Sequence, residues 1–155
     1  MLTLKNLVLS VVAVASLAGL SRAESVALDV RFQDNLLSGR MVIGSEGTYF
    51  ATYGYPGASI QVIGKLTQID MLGLLSVMSP KLDAWAAAQK LVGTTKFRFI
   101  VNHAGKVVDY KTNKLDSQEQ AIIDTLGKLF ALVRDGKRPL PPNTTQAQAK
   151  AILGV

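Results

Sequence analysis

The chain has 155 residues, with 17 lysines and arginines against 11 aspartates and glutamates, a formal net charge of +6, and no cysteine. The missing thiols exclude disulfides, thiol catalysis, thiolate zinc sites and a lipid-modified cysteine. The basic residues are scattered along the sequence, whereas nucleic-acid binders concentrate them on one face. We therefore expect no nucleic-acid partner.

Residues 1–23 have the pattern of a secretory signal peptide. Lys5 gives a positive start, residues 7–20 form an apolar run, and Ser21 and Ala23 place small residues where a signal peptidase requires them. The run is short for a membrane span, which needs about 20 residues, although an uncleaved anchor is the alternative. We expect a secreted or periplasmic protein with no stable membrane span after cleavage of the leader.

The rest of the chain has the length of one domain. We expect residues 24–136 to form a single α+β domain. Residues 137–155 are expected to form a proline-rich linker with a short helix from about Thr145 to Leu153. The expected architecture is an antiparallel sheet with helices packed on one face. The sequence leaves open whether the C-terminal segment packs on the domain or hangs free.

Alternating apolar residues and turn signals predict the strands of the first half. The Pro56-Gly57 pair fits a type II turn between two of them. The strands are expected at 25–32, 40–43, 48–55 and 59–63.

Two helices are expected to follow. Thr67 suits the N-cap of a helix that runs to about Met78. Ser79 and Pro80 fit the N-cap and first turn of a second helix, because the missing N–H of proline is no loss there. We expect this second helix to run to about Val92 and to end before the next glycine.

The second half shows a similar order of elements. Strands are expected at 96–101 and 106–112, joined by a turn at 102–105. The order strand–strand–helix thus occurs in both halves, and Lys65-Leu66 and Lys114-Leu115 precede the two helices in the same way. We interpret this as two repeated units; coincidence is the alternative, since capped helices after strands are common.

A capped amphipathic helix follows the second pair of strands. Asp116 with Glu119, or Ser117 with Gln120, fits a reciprocal capping box, and Gly136 suits the end of the helix. The apolar stripe at helical spacing is expected to face the sheet, and it consists of Ile122, Leu126, Leu129, Phe130 and Val133.

The sequence offers few groups for catalysis. His103 is the only histidine, and it falls in a predicted turn without a neighbouring group to orient it. The chain lacks a Gly-x-Ser-x-Gly motif, a phosphate-binding glycine loop and a metal-ligand spacing. We therefore predict no catalytic residue, no metal site, no cofactor and no enzymatic activity; a hydrolase that uses His103 with a carboxylate is a third hypothesis.

Three tyrosines form the best candidate binding surface. Tyr49, Tyr53 and Tyr55 have the same parity in a predicted strand, so they project from one face beside the Pro56-Gly57 turn. Tyrosine is enriched at recognition surfaces because it offers a large area at little cost in rotamer entropy. The alternative is structural, because tyrosines suit strands and pack under helices.

The second half of the chain also resembles the emfourin family of small metalloprotease inhibitors. The resemblance rests on the strand at 96–101, the strand at 105–108 and the Leu-rich helix from Gln118 to Val133. It implies a non-enzymatic protein that blocks a secreted thermolysin-like protease, and no inhibitory residue is assigned from it.

The function we expect is that of an exported, non-enzymatic binding or inhibitor domain that acts through surface contacts. Its expected partner is another protein, and a secreted protease is the class that the family resemblance implies. The alternative is a periplasmic or secreted carrier of a small apolar ligand or lipid, with a pocket between sheet and helices.

Overall fold

The structure is a computed structural model that describes residues 25–155, so the predicted signal peptide at 1–23 lies outside the described residues. The described chain has the α+β architecture that the sequence predicts. Its elements, in chain order, are strands β1 (Val26–Asp34), β2 (Leu37–Gly44), β3 (Thr48–Tyr55) and β4 (Ala58–Lys65), helix α1 (Gln68–Ala87), strands β5 (Phe97–His103) and β6 (Lys106–Thr112), and helices α2 (Ser117–Arg134) and α3 (Gln146–Leu153).

The six strands form one antiparallel sheet in the order β4-β3-β2-β1-β5-β6. Strands β1 to β4 follow one another as a meander, and β5 returns to pair with β1 after α1. The turn between β3 and β4 places Gly57 at a φ of 79°, which is what the third position of a type II turn requires. Within residues 25–155, none of the helices is both long enough and apolar enough to cross a membrane.

The two long helices cover one face of the sheet, which we call the inner face. Alternation along the strands directs Leu28, Val30, Ile43 and Phe99 into this face, where all four are buried. They pack against buried residues of the two helices, among them Leu74, Met78, Trp85, Ile122 and Leu126. Burying a side chain of this size contributes about 1.5–3 kcal/mol, so this layer is the main source of stability.

Helix α1 passes through Pro80 without a break. The prediction of one helix ending near Met78 and another running from Ser79 to Val92 is therefore wrong. Proline inside a helix costs about 3 kcal/mol, but buried side chains lie on both sides of it, Met78 before and Trp85 after. Their packing on the sheet holds the two segments as one helix, which ends at Ala87.

Both long helices begin with the same reciprocal cap directly after a hairpin. The Thr67 hydroxyl accepts the N–H of Asp70, and the Asp70 carboxylate accepts the N–H of Thr67. Asp116 and Glu119 form the equivalent pair at the start of α2, with bonds of 2.7 and 3.0 Å. Of the two capping pairs that the sequence allows for α2, the structure has the one centred on Asp116.

The C-terminal segment packs on the domain. Gly136, with a φ of 75°, ends α2 in a left-handed turn, and the chain then passes the edge strand β4, where the N–H of Lys65 donates to the Arg138 carbonyl at 3.0 Å. We call residues 137–145 the strap. It leads to α3, whose Leu153 packs with Val42 and Phe50 on the opposite, outer face of the sheet.

An ion pair also joins the strap to α1, and its contribution to stability should be lost at low pH. Arg138 donates Nε and Nη2 to the two carboxylate oxygens of Asp70. The hydrogen bond from Arg138 is the main cause that lowers the pKa of Asp70, against an opposing effect of burial. Because the folded pKa is lowered, this stabilisation is present above the unfolded pKa of about 3.9 and is lost as the pH falls through the folded pKa.

We expect Asp70→Asn to lower Tm by roughly 2–4 °C near neutral pH, because asparagine keeps the cap acceptor and loses the charge. The difference in Tm from the wild type should shrink as the pH falls below about 4. Calorimetric melts at several pH values measure both effects. Asp83→Asn, on the exposed side of the same helix, is the control. A Tm difference that stayed constant across this pH range would contradict the assignment.

Candidate ligand-binding groove

An apolar groove lies between the inner face of the sheet and one side of α2, with a volume of about 430 Å³. The sheet side includes Phe32, Met41, Ala51 and Tyr53, from three neighbouring strands. All four point to the inner face. Phe32 is two residues from the buried Val30, Met41 pairs with Val30 and Ala51 pairs with Met41. Tyr53 is two residues from Ala51 on the same strand. The groove thus continues the hydrophobic core outward to solvent.

The helix side of the groove consists of Ile123, Leu126, Gly127 and Phe130. Leu126 is buried, Ile123 and Phe130 are partly buried, and Gly127 is exposed. These four positions fall on one flank of the helix, three and four residues apart. Helix α2 therefore turns one part of its apolar stripe to the core and the adjoining part to the groove.

Glycines line both walls of the groove, and the one on the helix faces open space. Gly39 stands directly between Phe32 and Tyr53 in the register of β1, β2 and β3, so the row of aromatic side chains is interrupted there. The space beside Gly39 is taken by the Tyr53 ring, because a Cβ there would lie only 3.3 Å from Tyr53 Cδ2. The space beside Gly127 is open, because a Cβ there would meet no atom within 4 Å. Protein cores normally fill such gaps by interleaving large and small residues. Here a glycine lines the groove on each of its two walls.

The groove has one aromatic wall and one open rim. Phe32 and Phe97, directly opposite on β1 and β5, form the wall with ring centroids 5.3 Å apart. Tyr53 forms the rim and is 46% exposed. An apolar molecule that entered would bury these rings further, and each buried side chain of this kind adds to affinity through the area removed from water.

The lining of the groove is mostly apolar, with a few polar side chains. Among the described residues that line the groove, none is a histidine, an aspartate or a glutamate. Gln120 lies at one end, where its Nε2 donates to Asp124 Oδ1 at 3.0 Å. A general acid or base must lie within hydrogen-bond reach of a bound substrate. The groove can therefore orient a ligand through an amide and aromatic rings, but its side chains offer no carboxylate or imidazole for proton transfer.

The structure separates the three tyrosines that the sequence placed on one surface. Tyr49 is fully buried beneath the helices, and in the described part of the chain its hydroxyl has no hydrogen-bond partner. Burial raises the pKa of Tyr49. Tyr53 and Tyr55 are 46% and 56% exposed. A contact surface at this strand stays a prediction for Tyr53 and Tyr55, whereas Tyr49 has the structural role that the alternative described.

His103 lies at the exposed tip of the β5–β6 hairpin, next to Ala104 and Gly105, which both have positive φ. No hydrogen bond joins it to a carboxylate among the described residues. Within residues 25–155, no group of three His, Asp or Glu side chains is placed to hold a metal ion.

Sequence reasoning missed Gly39 and Gly127 as groove residues. A signal exists for Gly127, because glycine in the middle of an amphipathic helix costs about 1 kcal/mol relative to alanine. A residue that weakens its own helix points to a requirement for space. Gly39 gives no such signal, since it precedes Arg40 in a segment that reads equally well as a loop.

No protein-family model, curated protein or solved structure matches this chain.

Proposed function

We propose that this protein is a non-enzymatic binding protein that takes a small apolar molecule, or the apolar part of a lipid, into the groove between the sheet and α2. The observation that carries the proposal is the groove itself, an apolar hollow of about 430 Å³ with a glycine on each wall. Small-molecule sites are concave and mostly apolar, with volumes of about 300–1,000 Å³ and a few polar groups that fix orientation. In the secreted or periplasmic setting that the signal-peptide pattern predicts, such a protein would carry or sequester its ligand.

A second candidate function is contact with a protein partner, and a specific observation favours it. Tyr53 and Ile60 stand directly opposite each other on β3 and β4, and Tyr55 lies at the end of the same hairpin. All three are about half exposed. Exposed aromatic and aliphatic residues grouped at one corner are typical of interaction sites. The emfourin resemblance implies a secreted protease as the partner but assigns it no contact residue, so the corner is proposed from the exposure of its own side chains.

Filling the groove from the helix side tests the first proposal. We expect Gly127→Leu to weaken binding of the neutral fluorescent probe N-phenyl-1-naphthylamine at least about tenfold, which corresponds to about 1.4 kcal/mol. The leucine side chain would occupy open space that no other atom fills. The same change should raise the free energy of unfolding by about 0.5–1 kcal/mol, because leucine is a better helix former than glycine. Probe titration by fluorescence and urea unfolding measure the two effects.

Gly73→Leu is the matched control, because Gly73 is also exposed on a long helix and a Cβ there meets nothing within 4 Å. It should stabilise its helix and leave probe binding unchanged. Equal loss of probe binding in both variants, or undiminished binding in Gly127→Leu, would refute the groove as the ligand site. Tyr55→Ala separates the two functions: it should leave the probe bound, since Tyr55 lies outside the groove lining, but should weaken a protein contact at the corner.

A further inference from the structure

Four basic side chains form a row across the outer face of the sheet. Arg40, Arg31, Arg98 and Lys111 occupy directly opposite positions on β2, β1, β5 and β6. Side chains opposite each other on neighbouring strands lie about 4.5–5.5 Å apart at Cβ, and like charges in such positions destabilise a sheet. Three successive pairs of like charge therefore disfavour the folded sheet except where carboxylates compensate them. Arrangements of this kind are expected where a function requires them.

Two carboxylates hold the arginines of this row in place. Asp29, only 7% exposed, accepts Nη2 of Arg31 at 3.0 Å and Nη2 of Arg40 at 2.9 Å, and each arginine also donates Nε to it. Asp109 accepts Nε and Nη2 of Arg98 at 2.9 and 2.7 Å. These bonds use one edge of each guanidinium. In the described part of the chain, they leave the Nη1 group of all three arginines to other acceptors.

The two carboxylates do not neutralise the row. Burial alone would raise the pKa of Asp29, but hydrogen bonds from Arg40 and Arg31 outweigh it and the net pKa is lowered. The hydrogen bond from Arg98 likewise lowers the pKa of Asp109. Both aspartates are thus charged near neutral pH. Four positive charges against two negative charges leave the row with a net charge of +2.

A recess of about 350 Å³, with both polar and apolar lining, opens beside the row. The loop that follows α1 forms one side of it through Thr94 and Thr95, and Thr52 and Ser38 on the sheet add further hydroxyls. The recess contains Arg31, Arg40, Arg98 and Lys111 of the basic row. Guanidinium, ammonium and hydroxyl groups therefore surround one hollow large enough for a small ligand.

We propose that this recess binds a tetrahedral oxyanion, the phosphate or sulfate group of a small molecule or of a lipid headgroup. Arginine presents planar N–H groups that match phosphate oxygens in pairs, and such charge-assisted bonds are about twice as strong as neutral ones. Arginines that carboxylates already hold lose little side-chain entropy when they bind. The basic row points away from the inner face, although Phe32, Gly39, Arg40 and Thr52 line both the recess and the groove. The phosphate-site proposal does not depend on a ligand being bound in the groove.

Inorganic phosphate is the first probe. Sodium phosphate would be titrated into the ¹⁵N-labelled protein at pH 7, with sodium chloride adjusted to constant ionic strength, and the arginine Nε–Hε signals followed by NMR. We expect saturable shifts for Arg31, Arg40 and Arg98 and weaker binding, by about tenfold or more, in Arg98→Gln and in Lys111→Gln. Both variants keep the arginines that neutralise buried Asp29, and Arg98 pairs with a carboxylate near the surface, so both should fold.

Lys128→Gln is the control, because it removes the same charge from an exposed position of α2. It should bind phosphate as the wild type does. Equal weakening in Lys128→Gln and Arg98→Gln would mean that net charge attracts the anion without a site, and shifts that do not saturate would overturn the proposal as well. Sulfate should compete with phosphate. Two further probes distinguish a free ligand from a lipid headgroup. Binding of soluble glycerol phosphate indicates a free ligand, and binding to phosphatidic acid vesicles but not to phosphatidylcholine vesicles indicates a lipid headgroup.

Discussion

Replacing Trp85 by alanine is expected to lower the free energy of unfolding by about 3–5 kcal/mol. Trp85 is 3% exposed and lies on α1 over the β5–β6 hairpin. Its ring stacks on Phe99, with centroids 4.7 Å apart, and on Tyr110, at 5.1 Å. The total stability of a domain is about 5–15 kcal/mol, so this single change would remove a large part of it.

A hydrogen bond adds to the loss of packing. Trp85 Nε1 donates to Glu119 Oε2 at 2.8 Å, and Glu119 is only 2% exposed. The other carboxylate oxygen of Glu119 accepts the N–H of Asp116 in the cap of α2. Without the indole, the buried carboxylate is one donor short, and an unsatisfied buried group costs about 1–3 kcal/mol. Trp85 therefore joins α1, α2 and the sheet at one point.

Urea unfolding followed by far-UV circular dichroism measures this prediction, because Trp85 is the only tryptophan and its fluorescence is lost in the variant. Trp85→Phe keeps a stacking ring without the N–H, so its smaller loss separates packing from the hydrogen bond. Leu91→Ala, at an exposed position just after α1, should unfold at the wild-type urea concentration. If Trp85→Ala also unfolded at the wild-type urea concentration, the indole would not be what holds the helices and the sheet together.

Local periodicity was enough to predict the apolar face of α2. Of the stripe that the sequence predicts, Ile122, Leu126, Leu129 and Val133 are buried and Phe130 is partly buried. A helix repeats every 3.6 residues whatever packs on it, so the buried side can be identified from spacing alone. The same spacing could not predict that the flank beside Phe130 would stay open, because that depends on where the sheet ends.

Pro80 shows how tertiary packing can outweigh a local signal. Serine followed by proline is a good helix start in isolation. The cost of leaving proline inside a helix is instead offset by the burial of Met78 and Trp85 on the same sheet face. That sheet face is formed by strands that precede and follow α1 in the sequence. The residues around Pro80 therefore do not indicate that the helix will continue through it.

Both candidate sites depend on strand register, which is a long-range property. Parity correctly put Tyr49 and Tyr53 on one face of β3, but parity does not say which part of that face a helix covers. The basic residues that look scattered in the sequence become neighbours only because β1 pairs with both β2 and β5, which brings Arg31 opposite Arg40 and Arg98. The sequence therefore predicts the sheet and its helices, and the pairing of distant strands creates the groove and the recess.

Adding a side chain at Gly64 should also destabilise the fold strongly, although the sequence does not mark this position. It is buried in β4 at the point where the strap passes. A Cβ on Gly64 would clash with the Arg138 carbonyl oxygen and would lie 2.9 Å from Val133 Cγ1. Cβ atoms essentially never come this close to other atoms, so the backbone of the strap would have to move. Overpacking of this kind costs about 1–3 kcal/mol or more.

We expect Gly64→Ala to lower the free energy of unfolding by about 2–3 kcal/mol and to release the strap from β4. The N–H of Lys65 would lose its bond to Arg138, so its hydrogen exchange should accelerate, and residues 137–145 should become sensitive to protease before the sheet does. Gly73→Ala is the control, because a Cβ on Gly73 meets nothing within 4 Å and alanine favours the helix. If Gly64→Ala kept the wild-type urea midpoint and the wild-type protease pattern, the close approach of the strap to β4 would be refuted. The position of α3 on the outer face would then need another cause.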